Sequence, residues 1–212
     1  MDELISTLEQ IGIVPVVVIE REEDALPLAR ALMEGGLPCA EVTFRTPHAV
    51  EAIRLMTSAY PEMLVGAGTV LTPEQADEAK AAGARFIVAP GLNPRVVEHV
   101  RSIGLPMIPG VCTPSDIERA LELGLDHLKF FPAEQSGGLA MIKALSGPYH
   151  TVRFMPTGGI NPGNVRDYLS FGKVFCCGGT WFVNKRLLSE GRFDEIKWLV
   201  HEAAQIVHVV RG

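Results

Sequence analysis

The chain has 212 residues, of which 47% are hydrophobic and 21% are charged, and its formal net charge is -6. This is an ordinary globular composition with enough apolar mass for a substantial core. The negative charge gives no reason to expect a nucleic acid or an anionic membrane surface as a partner, and no apolar run approaches the ~18 residues of a membrane span.

The first segment, MDELISTLEQ, is amphipathic and acidic, which predicts a short N-terminal helix, and it lacks the basic start of a signal peptide. Eight short apolar runs follow. Most are rich in β-branched or aromatic residues and end in Gly, Pro or Thr, as is typical of strands. They cover residues 13–19, 39–44, 64–70, 85–91, 106–112, 127–132, 153–159 and 174–181.

Helix-like segments separate the apolar runs. Their starts are indicated by a Thr or Asn followed by Pro, and their ends by Gly. The predicted starts are Thr72, Asn93 and Thr113, and the predicted ends are Gly35, Gly83, Gly104 and Gly124. Strand and helix thus alternate eight times, which predicts parallel strands with crossover helices.

Two closures of such a sheet compete, the eight-fold barrel and an open doubly wound sheet. An open sheet would be expected to have a Gly-rich dinucleotide turn after its first strand, but the turn at residues 19–23 has no glycine and three acids. Eight nearly equal units without a long insertion favour the barrel. We therefore predict an α/β protein, a single (β/α)8 TIM barrel domain over residues 1–212.

A lysine lies in the middle of the sixth apolar run, HLKFFP. Side chains two apart share a face of a strand, so Lys129 shares a face with His127 and Phe131, while Leu128 and Phe130 face the outer helices. Lys129 is therefore predicted to point into the barrel, whose active sites lie at the C-terminal ends of the strands.

The second and third runs bring further polar groups to the same end. In AEVTFRTP, Glu41, Thr43 and Arg45 share the inward face, and in VGAGT the hydroxyl of Thr69 reaches the rim beside two glycines. We predict that Lys129, Glu41, Arg45 and Thr69 converge on one mouth.

Two interpretations of this cluster stay open from the pattern alone. In the first, Lys129 and Glu41 form only a structural ion pair, because buried charges are usually paired. Alternatively, Lys129 forms a Schiff base with a carbonyl substrate, in dry surroundings supplied by Phe130 and Phe131. Glu41 would then transfer protons, and Arg45 would hold a carboxylate by two hydrogen bonds.

Paired glycines follow the seventh and eighth runs, in PTGGINP and GGT. Barrels often bind phosphate in these two loops, where glycines let backbone N–H groups approach the phosphate oxygens and a hydroxyl adds a donor. The predicted phosphate site consists of Thr157, Gly158, Gly159, Gly179 and Thr180.

The remaining chemistry-bearing residues predict no cofactor. The six histidines lack the spacing of metal ligands, so no metal is expected. The four cysteines form no C-x-x-C pair and lie in or beside strand-like runs, which favours buried thiols in a reducing, cytoplasmic setting.

Motifs cover almost the whole chain: VPVVVIE, EVTFRTP, VGAGTVLTPEQ, APGLNP, IPGVCTPSD, LKFFPAEQSGG, PTGGINPGN and CCGGTWFV. Together they resemble the class I family of 2-dehydro-3-deoxy-6-phosphogluconate (KDPG) aldolases, which often also act as 4-hydroxy-2-oxoglutarate (KHG) aldolases. The resemblance implies a (β/α)8 barrel, a homotrimer, no metal and a small 2-oxo acid as substrate. KDPG would be cleaved to pyruvate and glyceraldehyde 3-phosphate, and KHG to pyruvate and glyoxylate.

The resemblance also implies roles for individual residues. Lys129 matches the Schiff-base lysine, Glu41 the acid/base glutamate, Arg45 and Thr69 the residues that hold the pyruvate carboxylate, and Phe131 a pocket wall. The phosphate side is matched by Thr157, Gly158, Gly159 and Thr180, the last standing where the family usually has serine. Two alternatives remain: a phosphogalactonate-type aldolase, which the arginine in FRT disfavours, and a non-catalytic sugar-phosphate-binding barrel.

Overall fold

A computed structural model describes residues 2–212 as alternating strands and helices. The strands are β1 Ile13–Val17, β2 Cys39–Thr43, β3 Leu64–Gly68, β4 Ile87–Val88, β5 Met107–Ile108, β6 Gly110–Val111, β7 His127–Phe130, β8 Arg153–Pro156 and β9 Cys177–Gly179. The helices are α1 Asp2–Ile11, α2 Ala25–Gly35, α3 Ala49–Ala59, α4 Pro73–Ala81, α5 Pro94–Ser102, α6 Pro114–Glu122, α7 Gly138–Ser146, α8 Val165–Leu169, α9 Lys185–Ser189 and α10 Phe193–Arg211.

The strands pair in parallel, as the alternation predicts. One sheet has the order β5-β4-β3-β2-β1-β9 and the other the order β6-β7-β8. Single bridges from Phe154 to Val174 and from Thr157 to Gly178 lead from the β8 side to the β9 side. The fifth predicted strand is divided into β5 and β6 at Pro109, because proline has no N–H with which to continue a ladder.

Alternate strand residues pack into two apolar clusters. The outer cluster lies between the strands and the helices and includes Val42, Leu128 and Phe130. The inner cluster joins both sheets to the N-terminal helix, and its members include Leu8, Val14, Cys39, Leu64, Ile108, Met155 and Phe175. Since one cluster collects residues from strands of both sheets, the sheets curl around a shared interior, and α1 covers the N-terminal end of that interior.

The predicted helix signals are found where the sequence places them. The Thr72 hydroxyl accepts the N–H of Gln75 at the start of α4, and Thr113 and Asp116 cap each other at the start of α6. Three predicted helix ends have left-handed backbone at a glycine, with φ of +97° at Gly83, +77° at Gly104 and +72° at Gly124. These local signals fix where each crossover begins and ends, and therefore which strand ends meet at the mouth.

The cysteines have free thiols. Cys39, Cys176 and Cys177 are buried, as predicted, whereas Cys112 is partly exposed. Burial raises the pKa of the Cys177 thiol to about 12, so this group stays protonated. Within residues 2–212, no helix combines the length and apolar character needed to cross a membrane.

Candidate active site

Lys129 and Glu41 form a buried pair inside the curled sheet. The Lys129 Nζ donates to Oε1 of Glu41 at 3.0 Å and to Oε2 at 3.3 Å. Because β2 and β7 are not neighbours in either sheet, the contact crosses the interior, and both side chains point inward as predicted. Glu41 is 0% exposed, whereas the Lys129 side chain retains 6% exposure. Lys129 is thus the member of the pair whose side chain retains some access to solvent.

The end of β3 makes room for the carboxylate of Glu41. A Cβ on Gly68 would lie 2.3 Å from Oε1 of Glu41, so only glycine fits there without moving the acid. The next residue, Thr69, has a φ of +56°, which is uncommon for a β-branched side chain. The chain therefore turns sharply directly after passing the carboxylate, and this turn sets the position of the Thr69 hydroxyl.

Arg45 and Thr69 lie together beyond the strand ends. The Arg45 Nε donates to Oγ1 of Thr69 at 3.3 Å, and the arginine side chain is exposed. Thr43 is also inward, but its hydroxyl donates to the carbonyl of Val17 at 2.9 Å. Of the three polar residues predicted on the inward face of the second run, Thr43 therefore links strands, while Glu41 bonds Lys129 and Arg45 bonds Thr69.

The two phenylalanines predicted to surround the amine lie on opposite faces of the chain. The ring centroid of Phe131 is 5.4 Å from the Lys129 Nζ. Phe130 instead belongs to the outer cluster, where it meets Phe154 edge to face at 6.3 Å. The two-residue period predicts this outward position of Phe130, so of the two rings expected to supply dry surroundings, Phe131 is the one beside the amine.

The first predicted phosphate loop begins at a buried hydroxyl. Thr157 is 5% exposed, and its Oγ1 is the one buried side-chain N or O atom in residues 2–212 that has no hydrogen-bond partner. The N–H groups of Gly159 and Ile160 donate to no protein acceptor within the same range. The Thr157 hydroxyl and these two N–H groups are therefore unpaired in the described residues.

The second glycine pair lies beside the first, because Thr157 and Gly178 are bridge partners. A Cβ on Gly178 would lie 2.3 Å from Oγ1 of Thr157. At Gly179 a Cβ would meet the Trp181 ring at 2.3 Å, so this glycine is also required by packing. Thr180 is exposed and borders a cavity of about 420 Å³ between β1 and β9, with an apolar wall that includes Val16, Val18, Val183 and Leu188.

The described part of the chain, residues 2–212, contains no group of three His, Cys, Asp or Glu side chains placed to bind a metal ion.

The sequence comparisons assign the chain to a family. A family model described as KDPG and KHG aldolase matches residues 4–199. The chain belongs to the KDPG and KHG aldolase family. It is 50% identical to the 2-dehydro-3-deoxy-phosphogluconate aldolase of Treponema pallidum over 210 residues, which are 99% of this chain and 100% of that protein.

Further members of the KDPG and KHG aldolase family agree along the chain. The KHG/KDPG aldolase of Escherichia coli is 45% identical over 193 residues, 91% of each protein. The crystal structure of the KDPG aldolase from Legionella pneumophila contains pyruvate captured at low pH as a covalent carbinolamine intermediate. It matches this fold with a TM-score of 0.90 and 41% identity, covering 93% of this chain and 96% of that one.

Two residues beside the loop that contains Gly158 and Gly159 were not predicted from the sequence. Glu134 lies in the turn after β7, and its carboxylate accepts a hydrogen bond from the hydroxyl of Tyr168 in α8. The motif FPAEQSGG contains Glu134, but no local pattern connects it to a tyrosine 34 residues later.

Proposed function

We propose that this protein is a class I aldolase that cleaves KDPG to pyruvate and glyceraldehyde 3-phosphate, and KHG to pyruvate and glyoxylate. The observation on which the proposal rests is the inward amine of Lys129, within 3.0 Å of a fully buried carboxylate. Membership of the KDPG and KHG aldolase family supports the same reaction.

In this mechanism Glu41 first accepts a proton from the Lys129 ammonium, which it already contacts. The neutral amine attacks the 2-oxo carbon, and Glu41 returns its proton to the hydroxyl of the resulting carbinolamine, which leaves as water and gives a protonated imine. Glu41, acting through a water molecule, then removes the proton of the C4 hydroxyl, and the C3–C4 bond breaks. The electron pair moves into the imine to form an enamine, which is protonated at C3 and hydrolysed to pyruvate.

The carboxylate of the 2-oxo acid is assigned to Arg45 and Thr69. Arginine presents a planar fork of donors that matches a carboxylate, and the hydroxyl of Thr69 already lies 3.3 Å from the Arg45 Nε. Phe131 forms the apolar wall beside the amine. These groups touch the half of the molecule that KDPG and KHG have in common, so both substrates can use them.

The phosphate end is assigned to Thr157, Gly158, Gly159, Gly179 and Thr180. The support is the free hydroxyl of Thr157 and the unpaired N–H groups that follow it, which suit an anion. KHG has no phosphate, so this end distinguishes the substrates. Comparing kcat/KM for KDPG and KHG measures how much it contributes.

Covalent trapping tests the assignment of the nucleophile. The protein is incubated with pyruvate and borohydride, digested, and mapped by mass spectrometry. We expect the reduced adduct on Lys129, and no adduct after Lys129→Ala. An adduct on any other residue would refute the mechanism.

The alternatives give different results in the same experiments. A non-catalytic sugar-phosphate-binding barrel would bind phosphate without turnover by the unmodified protein. A phosphogalactonate-type enzyme would prefer the C4 epimer, which direct competition between the two phosphorylated sugar acids measures. The exposed Arg45 at the mouth supports the gluconate type.

We further infer that the two sheets are parts of one closed (β/α)8 barrel forming a single domain. The support is the pair of bridges between the β8 and β9 sides and the inner cluster shared by both sheets. The homotrimer and the cytoplasmic location remain predictions. Light scattering after gel filtration should give about three times the 23.0 kDa of one chain.

A further inference from the structure

The turn after β7 lies directly against the loop formed by Thr157, Gly158 and Gly159. The Ala133 N–H donates to the carbonyl of Thr157 at 2.8 Å, and the Glu134 N–H donates to the carbonyl of Gly158 at 3.1 Å. Two successive residues of the turn are thus hydrogen-bonded to two successive residues of the loop. These bonds fix the position of the loop backbone relative to the turn.

The side chain of Glu134 continues this contact. A Cβ on Gly159 would lie 2.5 Å from the Cγ of Glu134 and 2.7 Å from its Cβ, so the glutamate stem covers the α-carbon of Gly159. Its carboxylate accepts the hydroxyl of Tyr168, which is 1% exposed. Burial and this hydrogen bond raise the pKa of Tyr168, so the tyrosine remains a donor.

The opposite side of Gly159 is held by two amides. Its carbonyl accepts Nδ2 of Asn161 and Nδ2 of Asn164, each at 3.0 Å. With the carbonyl fixed on one side and the α-carbon covered on the other, the peptide plane has one orientation. That orientation directs the unpaired N–H groups of the loop.

We propose that Glu134 and Tyr168 are positioning residues that hold the Gly158-Gly159 loop in the conformation that receives the substrate phosphate. This inference rests on the proposed function and identifies the residues that orient the phosphate end of that site. The Glu134–Tyr168 hydrogen bond is separate from the pair of bonds between Lys129 and Glu41. Loss of the pair should therefore weaken use of a phosphorylated substrate and leave a non-phosphorylated one unaffected.

The test compares two substrates across three variants and a matched control. Tyr168→Phe removes only the hydroxyl, and Glu134→Ala removes the stem and the acceptor. We expect each to raise KM for KDPG about tenfold, equivalent to ~1.4 kcal/mol, with kcat and KM for KHG within about twofold of the unmodified protein. Glu134→Gln keeps the stem and an acceptor oxygen, so it should retain most of the affinity.

The control is Tyr149→Phe. It removes a tyrosine–glutamate hydrogen bond of the same kind, from Tyr149 to Glu118 at 2.9 Å, and should change neither KM. If Tyr168→Phe impairs KDPG and KHG equally, the pair supports the whole fold and the inference is wrong. If it impairs neither, the inference is also wrong.

A direct binding measurement separates this inference from the proposed function. Titration with inorganic phosphate should show weaker binding by Tyr168→Phe than by the unmodified protein and by Tyr149→Phe. If the unmodified protein cleaves neither substrate, the proposed function fails, while this comparison still decides the role of the pair. Equal phosphate affinity in all three proteins, or none in any, overturns the inference.

Discussion

Replacing Lys129 with methionine should destabilise the protein as well as inactivate it. The Lys129→Met side chain keeps much of the length but loses the ammonium, so Glu41 would become a buried carboxylate without a partner. Glu41 is 0% exposed, and within residues 2–212 its carboxylate receives hydrogen bonds from Lys129 alone. Breaking a buried ion pair from one side costs about 3–5 kcal/mol.

The double replacement Lys129→Met with Glu41→Leu should recover that loss. Exchanging a whole buried pair for apolar groups of similar volume is often neutral or stabilising by about 1–4 kcal/mol. We therefore expect the double variant to unfold at a denaturant concentration equal to or above that of the unmodified protein. It should form no borohydride-trapped adduct with pyruvate, because the amine is absent.

Urea unfolding followed by circular dichroism measures both variants, with the m-value checked for a constant exposed surface. The matched control is Lys197→Met, which breaks an ion pair with Glu34 whose side chains are both 47% exposed. Such a pair contributes about 0–1 kcal/mol. The reasoning is refuted if the double variant is as unstable as Lys129→Met, since the unpaired carboxylate would then not be the source of the loss.

Three smaller changes test other parts of the structure. Gly68→Ala introduces a Cβ 2.3 Å from Oε1 of Glu41 and should lower kcat by about 10²–10⁴ through displacement of the acid/base group; an unchanged kcat would contradict that role. Asp116→Ala removes a helix cap and should cost about 0.5–2 kcal/mol in urea unfolding. The Arg153 guanidinium bonded to Glu9 lowers the pKa of that carboxyl, so its stabilisation is present above the ordinary pKa of a glutamate and is lost as pH falls through the lowered value. Glu9→Gln should therefore lower Tm at pH 7, and this difference in Tm should shrink as the pH is lowered.

The sequence predicted the parts of the site that depend on local periodicity. Inward and outward faces alternate every two residues, so Lys129 and Glu41 could be oriented before their partners were known. The same rule places Phe130 on the outer face, and of the two rings expected to keep the amine dry it is Phe131 that lies beside it. The division of the fifth strand at Pro109 likewise follows from a missing N–H.

Contacts between distant segments could not be predicted in this way. Lys129 and Glu41 are 88 residues apart, and their distance depends on how far the sheet curls. Glu134 meets Tyr168 only because α8 packs against the turn after β7. The role of Gly68 was also hidden, since a glycine beside a threonine at a strand end is usual in a turn and does not indicate which side chain occupies the space above it.

The Lys129–Glu41 contact by itself suits a structural ion pair as well as a catalytic one, so its surroundings must decide. An apolar replacement would hold the interior together at least as well, so stability does not account for two buried charges. It also does not account for a hydroxyl at Thr157 that is buried without a partner, because such a group lowers stability. A phosphorylated 2-oxo acid would account for both features, because its carbonyl carbon can react with the Lys129 amine and its phosphate oxygens can accept the Thr157 hydroxyl. The unsatisfied Thr157 hydroxyl, together with a buried charge pair that stability does not require, therefore favours an aldolase over a barrel closed by an ion pair.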